Sequence, residues 1–174
     1  MCSSEPSFTL LERTLTIIQS FLFQVPDHQE CFQDFQKSDA VIIVEILERQ
    51  DVSDKDAAVF FFQDLAESNG SAENQFQNKA MNIPTSSNIS IAAGIGIQKI
   101  AMGRDNNIAG NPREQEIKWV QVELCVFRLP NVDTDLLLTI SKPIPTKDGL
   151  LSTFSETFQR ATSTLQIRDW GLFG

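Results

Sequence analysis

The sequence predicts an α+β fold, with helices packed on a mostly antiparallel sheet. Three observations carry that reading. Val41 to Leu47 (VIIVEIL) is a β-branched apolar run with the composition of a buried strand. Ile117 to Leu129 and Asp133 to Ser141 are two strand patterns joined by Pro130-Asn131, which reads as an antiparallel hairpin. The two best helical periodicities fall between and after the strands, in the order strand, helix, strands, helix. That order argues against a doubly wound parallel sheet.

Taken in order, residues 1–24 place Phe8, Leu11, Leu15, Ile18 and Leu22 at helical spacing and predict an amphipathic helix. Glu5, Glu12 and Arg13 interrupt the segment. Its uncharged part, Thr14 to Gln24, is shorter than the roughly 20 residues a bilayer requires. No stable membrane insertion is expected. Val25-Pro26-Asp27-His28 reads as a turn, and Glu30 to Phe35 as a short strand. After the Val41–Leu47 strand, Ser53 and Asp56 resemble a capping box. The helix they would open has Ala58, Phe61, Phe62 and Leu65 on its apolar face and Asn69-Gly70 as its stop.

A short strand is expected around Gln75 to Met81, and another from Ile89 to Ile97. Gly94 and Gly96 inside the latter imply a bulge or a close backbone approach. Residues 103–114 (GRDNNIAGNPRE) read as a polar, flexible loop. In the strand over 117–129, Val120, Val122, Leu124 and Val126 share one face. Trp119, Gln121, Glu123, Cys125 and Phe127 share the other. Pro143 and Pro145 are expected to end the following strand. A last helix is expected from Ser152 to Leu165, and the terminal DWGLFG is expected to pin the chain end to the core.

A chain of 174 residues is most simply one domain, here 25–174, preceded by an atypical segment at 1–24. The formal net charge of −9 removes the electrostatic footprint of a nucleic-acid-binding protein and suits a basic partner. Three cysteines (Cys2, Cys31, Cys125) and one histidine (His28) suggest neither a disulfide framework nor a zinc site, and a reducing intracellular setting. No cofactor is expected. Gly94-Ile95-Gly96 lacks the third glycine of a dinucleotide fingerprint, because position 99 is Lys. His28 beside Cys31 reads as a solvated turn histidine. Asp133 and Asp135, two apart on a strand, are read as sharing one face and opening the strand.

Charge placement is the strongest physical signal. Eleven acids and three bases lie between Asp27 and Glu67, so almost half of the 23 acids occupy less than a quarter of the chain. A solvated face explains such a run; so does a docking patch for a basic surface. Glu45 favours the second, because a carboxylate within an apolar strand is costly unless paired or placed at a rim.

Several motifs follow one another in a telling order: VPDHQECF, VIIVEILE, FQDLAESNG, FRLPNVDTDLLLTISKP and DWGLFG. From about Val25 to Gly174 the chain resembles the Ran guanine nucleotide release factor (Mog-one) family. The resemblance implies a PsbP-like domain with an antiparallel sheet of about six strands flanked by helices on both faces. Residues 1–24 lack the family's usual Leu-Phe/Tyr-Gly-Gly opening, which puts the first strand in question.

The resemblance also implies a non-enzymatic, monomeric partner of the GTPase Ran, acting in nucleus and cytoplasm. Such a protein promotes nucleotide release, holds emptied Ran through its basic nucleotide-binding region and supports nuclear protein import. The family's Ran-facing positions correspond to Asp27, Gln29, Glu30, Glu45 and Glu48. The competing expectation is a PsbP-like adaptor or trafficking scaffold without nucleotide-release activity.

Overall fold

The computed structural model describes residues 28–33, 40–83, 88–102, 116–149, 152–167 and 170. The helix expected in 1–24, Asp27, the loop expected at 103–114 and the terminal segment apart from Trp170 lie outside them. Among the described residues, six strands and two helices follow in order: β1 (His28–Gln33), β2 (Val41–Glu48), α1 (Ala57–Ser68), β3 (Glu73–Asn78), β4 (Ser90–Met102), β5 (Glu116–Leu129), β6 (Thr134–Ile144) and α2 (Glu156–Thr164). Short 3-10 turns occupy Pro130–Val132 and Lys147–Gly149. The strands form one sheet in the order β1-β2-β6-β5-β4-β3, and every neighbouring pair is antiparallel. The predicted α+β class holds.

The pleat of the sheet divides the core in two, because successive side chains point to opposite faces. Val120, Val122, Leu124 and Val126 of β5 pack with Ala57, Ala58, Phe61 and Phe62 of α1. On the other face Cys125, Phe127 and Leu129 pack with Phe158 and Ala161 of α2. The central strands β5 and β6 are therefore apolar on both sides, as a sheet covered by helices on both faces requires. Burial of a ring such as Phe62 contributes about 2 kcal/mol or more.

Several predicted boundaries shift for identifiable reasons. Ser53 does not cap α1. Its hydroxyl donates to Asp56 Oδ2 at 2.5 Å, and the helix begins after Asp56, which makes no side-chain cap bond. The C-terminus stops where predicted. Gly70 takes φ +60, its N–H donates to Glu67 O at 2.9 Å, and Ser71 N–H donates to Ala66 O at 2.8 Å. These two bonds satisfy the carbonyls left over by the last turn. The expected turn histidine, His28, instead opens β1, and β3 begins at Glu73, ahead of the expected Gln75. Pro143 lies within β6 and does not end it. Pairing with β2 stops at Ser141, so the missing N–H falls where that side of the strand has no partner. Trp170, expected to help pin the chain end, is 42% exposed.

Gly94 and Gly96 mark a close approach, without a bulge, since the β4–β5 register runs unbroken through both. The Phe62 and Phe76 rings stack at 4.5 Å between centroids and lie against this glycine pair. A Cβ on Gly96 would come within 2.5 Å of the Phe62 ring and 2.6 Å of Gln75 O. Small residues in β4 thus make the socket that seats α1 and β3 together.

The helix α2 is anchored by a buried acid. Glu123, 3% exposed, accepts from Ser155 N–H at 2.5 Å and from Ser155 Oγ at 2.6 Å. Ser155 is the N-cap, and its Oγ accepts from Phe158 N–H at 3.2 Å. The cap places the helix start at Glu156, later than the predicted Ser152. Burial pushes the Glu123 carboxyl above its usual range, while the Ser155 bonds and Lys142 oppose the shift.

Two outcomes follow. Gly96→Ala should destabilise the domain by about 1–3 kcal/mol, seen as a lower urea midpoint, because neither the ring nor the backbone can yield freely. The folded state holds the Glu123 proton more tightly than the unfolded chain. This contribution is complete below the unfolded value, near pH 4.3, and is lost as pH rises through the folded one. The urea midpoint of Glu123→Gln relative to the parent should therefore rise with pH across that window. A difference independent of pH would contradict this account.

Candidate partner-binding surface

The acid-bearing strand β2 lies between β1 and β6. Glu45 is half-buried and stands opposite Gln29 of β1 and Leu137 of β6. Glu30 stands opposite Val44. Glu48 is the last residue of β2, is exposed, and stands opposite Thr134. Glu45 and Glu48 are three residues apart, so the pleat sends them to opposite faces, Glu45 toward α1 and Glu48 toward α2. Their common feature is the strand end. The chain runs on from there into the loop that carries Asp51, Asp54 and Asp56, all exposed.

That loop is fixed by a group the sequence reading passed over. Arg128, 1% exposed, donates from Nε to Asp135 Oδ1 at 3.0 Å, and Asp135 is fully buried. Its Nη1 donates to Val52 O and to Asp54 Oδ1, the latter at 3.1 Å, and its Nη2 donates to Gln50 O at 2.5 Å. Asp135 Oδ2 accepts from Gln50 N–H at 3.1 Å, and Asp133 O accepts from Arg49 N–H at 2.9 Å. A guanidinium suits this task, since its planar fork of donors serves a carboxylate and carbonyls together.

Asp133 and Asp135 therefore do not share a face, which corrects the sequence-based expectation. Asp133 is exposed in a left-handed conformation at φ 48, before the strand begins, while Asp135 is an internal counterion. The signal was present. Arg128 continues the Val120-Val122-Leu124-Val126 stripe, and a cation on a buried stripe demands an acid across the hairpin.

The Ser90 hydroxyl, followed by Arg128 and Arg49, holds the Asp54 carboxyl below its usual range against the effect of partial burial. Arg49 Nη2 lies 3.5 Å from Asp54 Oδ1. The loop thus presents its acids from a rigid base. Cys125 is fully buried, and burial raises its thiol, so it is unsuited to act as a nucleophile. Among the described residues, no group of three or more His, Cys, Asp or Glu is placed to hold a metal ion. No described helix is long and apolar enough to cross a membrane.

Fold and surface define a layered antiparallel α+β domain with an acid-bearing strand end. The chain belongs to the Ran-interacting Mog1 protein family, whose model matches residues 14–143. That span includes residues 14–24, ahead of the motifs that begin at Val25. A Ran guanine nucleotide release factor of Danio rerio is 31% identical over 166 residues, covering 89% of this chain and 88% of the relative. A Ran guanine nucleotide release factor of Bos taurus is 28% identical over 173 residues, covering 89% and 86%. Among solved structures, a mutant of protein Mog1 is similar at 25% identity with a TM-score of 0.49, covering 74% of this chain and 68% of that one. The Saccharomyces cerevisiae Ran-binding protein Mog1p is similar at 24% identity with a TM-score of 0.46, covering 84% and 73%.

Arg128→Met should cost about 3–5 kcal/mol by leaving the Asp135 charge buried without its partner. Adding Asp135→Leu should recover much of that loss. Chemical denaturation of both variants measures it, and a double variant no more stable than the single one would count against the ion pair as the cause.

Proposed function

We propose that this protein binds the small GTPase Ran through the acidic end of β2 and promotes release of its guanine nucleotide. The observation that carries the reading is the family match, which spans β2, at whose end Glu48 stands exposed, and the acidic loop after it. The names of the Danio rerio and Bos taurus relatives support the release activity. The docking residues are Asp27, Gln29, Glu30, Glu45 and Glu48.

A GTPase holds phosphate with a Lys-bearing loop, backbone amides and Mg²⁺. An acidic protein surface engages the same cations and amides, so bound protein and bound nucleotide disfavour each other. By linkage, the factor that weakens nucleotide binding equals the factor by which nucleotide weakens the protein's own binding. The protein then holds emptied Ran, as a non-catalytic regulator supporting nuclear protein import. It acts as a monomer in nucleus and cytoplasm.

Release of a fluorescent guanine nucleotide from Ran tests the proposal. The parent protein should accelerate release, and Glu48→Lys should weaken Ran capture about tenfold or more with unchanged circular dichroism. Glu45→Lys should do the same. Capture of Ran without any acceleration would identify an adaptor instead, and equal capture by both charge reversals would remove β2 from the interface.

A further inference from the structure

The opposite end of the sheet carries a different chemistry. Trp119 of β5 stands opposite Lys99 of β4 and Ile144 of β6. Lys99 Nζ lies 5.6 Å from the centre of the Trp119 ring and Lys147 Nζ lies 5.7 Å from it, each within cation–π range. Ile117, on the same face by the two-residue period, is 62% exposed, an unusual position for a large apolar side chain at a strand start. Lys142, also exposed, belongs to that face. Two lysines thus meet at a half-buried tryptophan, with Lys142 on the same face, in a chain of 23 acids and 14 bases.

Two ammonium groups on one ring repel each other. The molecule relieves half of that with its own carboxylate: Glu73 Oε1 lies 2.7 Å from Lys99 Nζ, and Lys99 holds the Glu73 carboxyl below its usual range. Glu73 therefore shows which chemistry fits this place.

We propose that the Trp119 end of the sheet is a second docking surface, taking a short acidic segment of a partner protein. A carboxylate of that segment meets Lys147 and Lys99, and an apolar residue beside it covers Trp119 and Ile117. The overall charge of −9 selects the class of ligand. A long polyanion such as duplex DNA, or an anionic membrane, meets the repulsion of the whole chain, while a short segment meets the lysines and displaces one local competitor, Glu73. The surface is separate from the β2 end. Nine residues of β5 lie between Trp119 and Leu129, the partner of Thr134 and so the neighbour of Glu48, a span of about 30 Å.

Fluorescence polarisation with a short labelled peptide of alternating glutamate and leucine tests this on the full chain. Binding should saturate and weaken as salt is raised. Lys147→Glu, an exposed change, should weaken it at least tenfold with an unchanged melting curve, and Trp119→Ala should do likewise. Glu73→Gln should tighten it severalfold by removing the internal competitor. Glu48→Lys should leave it unchanged, which keeps this result separate from Ran binding. No saturable binding by the parent, or parent-like binding by Lys147→Glu, would overturn the proposal. So would capture of phosphatidylserine vesicles or duplex DNA as tight as that of the peptide.

Discussion

The buried pair Arg128–Asp135 is the constraint on which the acidic end of the sheet depends. A guanidinium within an apolar stripe is tolerable only if its charge and donors are satisfied, and here they are met by two carboxylates and two backbone carbonyls. The carbonyls belong to the loop between β2 and α1, so satisfying the arginine fixes that loop. One side chain thereby joins the β5–β6 hairpin to a segment more than seventy residues earlier in the chain. Asp54 joins the same network through Arg128 and Arg49, so one acid of the loop is itself part of what holds it.

A second constraint is spatial. Both faces of the central strands are covered, so each helix must be seated by what the sheet offers beneath it. Under α1 the sheet offers absence, two glycines whose missing side chains admit the stacked Phe62 and Phe76 rings. Under α2 it offers a charge, Glu123, which receives the N-cap serine. The first device fixes position through shape and the second through hydrogen bonds. Only the second responds to pH.

Much of the architecture was legible in the sequence, because period-two and helical patterns report burial directly. The two faces of β5, the apolar stripe of α1 and its Asn69-Gly70 stop were read correctly from spacing alone. Helix starts were harder. Ser53 and Ser155 both precede acids, yet only Ser155 caps, since Ser53 spends its hydroxyl on Asp56. The ion pair was missed because Asp133 and Asp135 look equivalent in one dimension. Their difference arises from a left-handed residue and a strand register that only the folded hairpin defines. For the proposed docking acids, charge placement marked only the region, the family resemblance implied the positions, and the fold added that Glu45 and Glu48 face opposite ways at one strand end.

The sheet order also sets an order of events in time. β2 is an early strand, but its inner neighbour is β6, so the Gln50–Asp135 contact closes a loop of 85 residues. The hairpin of β5 and β6 closes over only a few residues and is cheap to form alone. On the ribosome β2 emerges long before the strand it must pair with, and its apolar run has to wait. The acidic strand end then takes its inner neighbour only once β6 has been made. A nascent chain halted anywhere before that strand would carry the acids of β2 without the inner neighbour that fixes them.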